Sequence, residues 1–315
     1  ETKFKVHKTQ GNFNNELGVP LTILAAPEDS DILVLEMGAD NFGQLDFLSK
    51  LVKPDYTIIT NIGESHIEFF GSRAGIAKAK FEITNGMKKD GFFVYNGDEP
   101  LLKELVENSS INATSCGENS YNDIILENYT ITRDKIDFKL NIDKNSFSTT
   151  LKGKHNLFNI MFAVAIAKKI GLANEEIRHA IDNISKITNM RLESIPYGED
   201  SLIINDAYNA SPTSMKAAVD VISDLNDFEF KTLVLGSMFE LGPNEVEYHS
   251  GIGTYINNNS RGINLVISVG ALAKNIIDNI NNKDISTLHF STVEEVTDYL
   301  KANKHKNEVI LFKAS

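Results

Sequence analysis

The chain has 315 residues, 42% hydrophobic and 23% charged, which places it among ordinary globular proteins and excludes disorder and fibrous repeats. At roughly 100–200 residues per domain, that length predicts two domains. Acidic residues outnumber basic ones by 43 to 31, and the net charge of −12 repels phosphate backbones, which argues against nucleic acid as the main partner.

Strand-like and helix-like segments alternate almost from end to end. Residues 31–36 form a short apolar run, and 44–52 follow with helical spacing. Residues 56–60 are β-branched and bounded by Pro54 and Gly63, which predicts a buried strand. A helix is expected over 74–87, a strand over 91–95 and a helix over 101–107. From 122 to 150 apolar residues mostly alternate with polar ones between Asp/Asn-rich turns, the pattern of an antiparallel meander with one wet face. Helices over 156–170 and 174–185 come next, with Gly171 as a stop.

Past 186–189 the alternation restarts. Strands are expected at 202–204, 232–235, 265–269 and 309–312, joined by helices over 212–225, 245–257, 272–280 and 293–302. Such repetition predicts an α/β fold with two parallel-sheet domains, 1–188 and 189–315. The longest nearly apolar run, 157–167, contains Asn159 and is too short to span a bilayer, so no membrane insertion is expected. No signal peptide is visible. One cysteine, Cys116, cannot form an intramolecular disulfide, which fits a reducing compartment. The chain starts at Glu1 without a methionine and stops at Ser315 within an apolar run, so a segment of something longer is expected.

In open parallel sheets ligands collect at the carboxyl ends of strands. Glu36, Asn61 with His66 just beyond it, the pair Asn205 and Asp206, and the pair Gly236 and Ser237 all occupy such ends. Each alone could be a turn or capping residue; their shared placement favours a site. On the 74–87 helix the apolar stripe runs through Ile76, Ala79, Ile83 and Met87, and Lys80 lies on it whereas Lys78 points away. Lys80 is either a snorkelling side chain or a lysine held near a ligand, with a shifted pKa or a covalent modification. Glu36, His66 and a modified lysine would suit magnesium. His155, Asn156 and Asn159 open a helix, whose free amides attract anions, although the first two could simply cap it. Arg191 is either a phosphate clamp or a salt-bridge partner. No G-x-x-x-x-G-K-[ST] sequence occurs, so no P-loop cradles a phosphate in this chain.

Eight segments kept in order carry a family resemblance: KTQGNFNNELGVP (8–20), EMGA (36–39), TNIGESH (60–66), AKAK (77–80), NGD (96–98), GKHNLFN (153–159), NDAYNASP (205–212) and GSMFELG (236–242). Together they resemble the Mur ligase family, and NDAYNASP favours its MurF-type branch, which adds D-alanyl-D-alanine to a UDP-linked muramoyl tripeptide in peptidoglycan synthesis. The resemblance implies a central ATPase-type domain followed by a Rossmann-like carboxyl domain. It implies ATP and Mg2+ as cofactors and an acyl-phosphate intermediate. Glu36, His66 and a carbamylated Lys80 would be the catalytic and metal-holding residues, and Asn12 would approach the substrate. His155, Asn156 and Asn159 would meet the base, Arg191 the phosphates and Asp206 the ribose.

A cytoplasmic bacterial monomer is implied as well. The family's amino-terminal domain and P-loop have no counterpart in these 315 residues, so the first domain is expected to be incomplete, the second truncated at its end, and the chain inactive by itself. Ser237 stands where the family usually has aspartate, and Ala314 where it has glycine. The alternatives are a sister Mur or folylpolyglutamate-type ligase, or a non-catalytic nucleotide-binding protein. Because the implied nucleotide contacts come from both domains, the two are expected to move about residues 186–191 and to stand open.

Overall fold

The structure, a computed structural model, describes residues 1–132, 134–184 and 190–315. Strand β1 (Val6–Lys8), helix α1 (Gly18–Leu24) and strand β2 (Ile32–Val34) come first, and β1 pairs with β2 in a two-stranded parallel sheet. Helix α2 (Gln44–Val52) leads to β3 (Tyr56–Ile59), α3 (Ile67–Phe70), α4 (Arg73–Phe81), β4 (Phe92–Asn96), α5 (Pro100–Glu107) and β5 (Ala113–Gly117). After them run β6 (Ile124–Ile131), β7 (Ile136–Leu140), β8 (Phe147–Thr149), α6 (Lys154–Lys169) and α7 (Asn174–Asp182).

Strands β3 to β8 form a six-stranded sheet in sequence order, parallel from β3 to β6 and antiparallel from β6 to β8. The buried β4 shows why its sequence is apolar without alternation. Phe93 and Tyr95 join the cluster holding Ile76 of α4 and Leu102 of α5, whereas Phe92 and Val94 join the one holding Leu157 and Met161 of α6. Successive side chains point to opposite faces, and both faces are covered.

The second half contains β9 (Glu193–Tyr197), β10 (Ser201–Asn205), α8 (Pro212–Asp224), β11 (Phe230–Leu235), α9 (Glu245–Asn259), β12 (Leu265–Val269), α10 (Lys274–Ile277), β13 (Ser286–Phe290), α11 (Val293–Ala302) and β14 (Glu308–Lys313). Its sheet has the order β13-β12-β11-β14-β10-β9, parallel except for the β9–β10 pair. The last strand, β14, inserts between β11 and β10, so the strand order reverses beside it. That is the switch point at which this architecture opens a crevice. Helix α8 starts there: Ser211 accepts from Ser214 N and Pro212 fills the first turn. One apolar cluster runs from Ile59, Ile62 and Ile76 of the first half to Ile204, Met215 and Leu235 of the second, so the two halves are packed against each other.

Several expectations change. Within the 31–36 run the strand is confined to Ile32–Val34, so Glu36 lies two residues beyond its end. The helix expected over 74–87 stops at Phe81 and passes into a 3₁₀ turn over Glu82–Thr84. The buried Ser49 of α2 donates to Glu82 O at 3.2 Å and accepts from Gly86 N at 3.1 Å, taking up groups that a continuing helix would use. A Cβ at Gly86 would lie 2.0 Å from the Ser49 carbonyl carbon, so only glycine permits that approach. Strands β5, β9 and β13 carry no clear signal in the sequence. The expected domain boundary near 188 lies outside the described residues, as does most of the 186–191 hinge.

Candidate nucleotide cleft

Strand ends from both sheets face one cavity of about 1120 Å³. The first half contributes Thr60 and Asn61 beyond β3, Asn96 at the end of β4, Lys80 of α4, and His155, Asn156 and Asn159 of α6. The second contributes Arg191, Asp206 and Tyr208 around β10, the start of α8, and Lys313 at the end of β14. Six of the nine residues expected to form the site, Lys80, His155, Asn156, Asn159, Arg191 and Asp206, therefore share this cavity.

Lys80 sits among the buried Ile76, Ala77 and Ala79, while Lys78 is exposed, as the helical stripe requires. Burial pushes the Lys80 ammonium below the usual lysine range, against the opposing pull of the Glu36 carboxylate. A lysine so placed is more readily neutral, and a neutral amine can add carbon dioxide to become a carbamate.

Glu36 lies exposed just beyond β2; its Oε1 accepts from Asn14 Nδ2 at 2.9 Å and its amide donates to Thr9 Oγ1 at 2.9 Å. His66 does not line the cavity. It adopts a left-handed backbone with φ 62°, and its buried Nδ1 lies 2.5 Å from Glu240 Oε2 without hydrogen-bond alignment. Asn12 lies in the exposed loop before α1, away from the cavity lining, with its carbonyl accepting from Asn14 N at 2.7 Å. Among the described residues no group of three or more His, Cys, Asp or Glu side chains is placed to hold a metal ion. Glu36, also outside the cavity lining, acts on Lys80 through its charge, and a carbamate on that lysine would offer a hard cation oxygens in place of a positive charge.

The capping alternative for the start of α6 falls away. The N-cap is Gly153, with φ 86° and no side-chain bond. A Cβ there would lie 2.6 Å from the His155 ring and 2.7 Å from Val221, so glycine lets the turn pass between them. Asn156 Nδ2 instead donates to Lys152 O at 2.7 Å, and Asn159 Nδ2 donates to Asn156 Oδ1 at 3.1 Å. The two amides thus orient each other toward the cavity. Burial pushes the His155 imidazole below its usual range; Asp206 opposes this and Lys313 reinforces it. The residue is nonetheless exposed, facing the open cavity between the halves, so neighbouring groups crowd the ring while its loss of water is only partial.

On the opposite wall the Arg191 guanidinium stacks over the Tyr208 ring, 4.5 Å from its centre. Asp206 Oδ1 accepts from Leu192 N at 3.1 Å, and Oδ2 accepts from Lys313 Nζ at 2.6 Å. Burial pushes Lys313 below the usual lysine range, and Asp206 counters it. Lys313 and Tyr208 were not singled out from the sequence. A lysine that closes the apolar run 309–312 at a strand's carboxyl end was the available signal. Ser237 lies outside the cavity lining, its carbonyl accepting from Ser315 N at 3.3 Å. At Gly236 a Cβ would lie 2.7 Å from Ala314 Cβ, so β11 and β14 end in close contact.

Residues 1–167 match the Mur ligase middle domain, and residues 190–315 match the Mur ligase glutamate ligase domain. The UDP-N-acetylmuramoyl-tripeptide–D-alanyl-D-alanine ligase of Bacillus subtilis is 42% identical over 323 residues, covering 100% of this chain and 68% of the relative. A crystal structure of MurF from Acinetobacter baumannii superposes with a TM-score of 0.88 at 27% identity, covering 99% of this chain and 68% of that one. The MurF ligase of Thermotoga maritima in complex with ADP gives a TM-score of 0.84 at 28% identity, with 99% and 70% covered. The chain thus spans about two thirds of the length of these relatives.

Proposed function

Because the chain belongs to the Mur ligase family, we propose that it is the nucleotide-handling body of an ATP-dependent amide ligase that joins D-alanyl-D-alanine to a UDP-N-acetylmuramoyl tripeptide in peptidoglycan synthesis. Its halves, 1–188 and 189–315, are its two domains. The observation that supports this reading best is the single cavity holding Lys80 and His155 on one wall and Arg191, Asp206 and Lys313 on the other. The cations Lys80, Arg191 and Lys313 suit a polyphosphate, and the paired Asn156 and Asn159 amides suit a base with both donors and acceptors.

In the reaction, a substrate carboxylate oxygen attacks the γ-phosphorus of ATP and ADP leaves. The amine of D-alanyl-D-alanine then attacks the acyl carbon, loses a proton, and phosphate departs. Most of this chemistry is positioning and charge neutralisation. Asp206, oriented by Lys313, accepts hydrogen bonds from the ribose. Arg191, held flat by Tyr208, faces the phosphates. Glu36, a carbamylated Lys80 and, once turned away from Glu240, His66 would hold magnesium, which would supply positive charge to offset that of the phosphoryl group. Asn12 approaches the substrate. The 315 residues contain no P-loop sequence, and by themselves they do not turn ATP over. A cytoplasmic, monomeric protein completes the reading; no described helix is long and apolar enough to cross a membrane.

A graft tests this proposal. Residues 1–315 replace the matching two thirds of the Bacillus subtilis relative, and products are identified by mass spectrometry. The expected product is the D-alanyl-D-alanine adduct of the muramoyl tripeptide. A folded graft that makes none, or that accepts a different amine instead, overturns the assignment.

A further inference from the structure

We propose that Glu64 is a positioning residue that sets the second half of the molecule over the cleft. Its carboxylate crosses between the halves to the start of α8, where Oε2 accepts from Thr213 N at 3.0 Å and from Thr213 Oγ1 at 2.8 Å. Ser211 already serves the next free amide of that helix, so Glu64 supplies a second cap from another part of the fold. A carboxylate at a helix N-terminus is favoured both by the free amides and by the partial positive charge there.

The other carboxylate oxygen faces Arg73 Nε at 3.9 Å. Arg73 also donates to Ile62 O at 2.8 Å and pairs with Glu99 at 2.6 Å, and so holds the 60–66 loop from behind. With its side chain only 12% exposed, Glu64 is shielded from water that would compete for these bonds. Two residues further on, His66 meets Glu240 of the second half, and Glu68 N donates to Glu240 O at 3.2 Å. His66 and Glu240 both hold left-handed backbones, φ 62° and 59°, at this contact. Strain of that kind persists where surrounding structure fixes it. The segment 64–68 is thus a clasp, and Glu64 is its charged tooth.

The clasp acts on the cleft because its ends belong to it. Thr213 and Ser211 line the cavity from α8, and Asn61 and Gly63 line it from the loop. Releasing Glu64 leaves each half folded but frees α8, with Asp206 and Asn209 just before it, to swing away from His155.

Paired spin labels measure this directly. Lys78 and Lys283 are exposed, one in each half, and Cys116 is buried, so K78C and K283C label cleanly. The starting protein should give one narrow distance distribution. Glu64→Ala should broaden it, Thr213→Val should broaden it less, and the double variant should match Glu64→Ala. Glu64→Gln, which keeps an acceptor, should restore part of the narrow peak. Circular dichroism should stay unchanged throughout. A narrow peak that survives in folded Glu64→Ala overturns the proposal; if that variant does not fold, an unbroadened Thr213→Val does so. Nucleotide affinity, on which the cleft reading depends, should fall in Glu64→Ala by up to about tenfold, the worth of a charge-assisted hydrogen bond being the upper bound for a residue that acts only through domain placement. If the starting protein binds no nucleotide, the cleft reading fails, while the distance result still decides the clasp.

Discussion

Lys313 Nζ lies 2.6 Å from Asp206 Oδ2, so the strand inserted at the switch point ends by holding the acidic residue that follows β10. The lysine is 3% exposed and also donates to Asn209 O at 3.0 Å. It joins two segments 107 positions apart in the sequence at one wall of the cleft.

Removing Lys313 leaves a mostly buried carboxylate without its partner. Breaking such a pair costs about 3–5 kcal/mol, and Lys313→Met should fall toward the lower figure because Asp206 keeps some contact with water. Urea unfolding measures it. A midpoint equal to that of the starting protein would mean that the pair contributes nothing.

Lys80 should take up carbon dioxide. Burial lowers its pKa, so at a given pH more of it is the neutral amine that reacts. With ¹³C-labelled bicarbonate, a carbamate carbon signal should grow as pH rises through the alkaline range and should vanish in Lys80→Ala. An identical spectrum from that variant would assign the signal to another amine.

The acid limb of stability should carry a His155 contribution. Its folded-state pKa lies below the unfolded value of about 6.5, so the unfolded chain binds the proton first. Stability is therefore lost as pH falls from about 6.5 toward the lower folded-state pKa. His155→Gln should lose less stability than the starting protein between pH 7 and pH 5.5 in denaturant titrations. Parallel losses would show that His155 titrates normally.

Much of this architecture could be read from the sequence because burial on both faces writes long apolar runs. Helices α2 and α11 and strand β12 have the expected bounds. What escaped was weakly encoded. Strand β5, Ala113–Gly117, lies among larger neighbours and has a single β-branched residue, Thr114. Strand β9 contains Pro196, which is tolerated because β9 is an edge strand. Edge strand β13 is half exposed, so little apolar patterning marks it. In the cleft, Lys80 was legible through its helical stripe, and Asp206 through its place at a strand end. The orientation of Asp206 was not, because Lys313 reaches it only through the crossing of β14 into the middle of the sheet. The turn of His66 toward Glu240 likewise depends on how the two halves pack, which local pattern does not encode.

The cleft itself is tested most directly by histidine NMR of the chain, with the His155 ring signals assigned through His155→Gln. Adding ATP with magnesium should move the His155 signals saturably and leave those of His179, on the far helix α7, in place. In Asp206→Ala the same movement should need about tenfold more nucleotide. If the His155 signals stay fixed at saturating ATP, or move equally in Asp206→Ala, the cavity between the two sheets is not the nucleotide site.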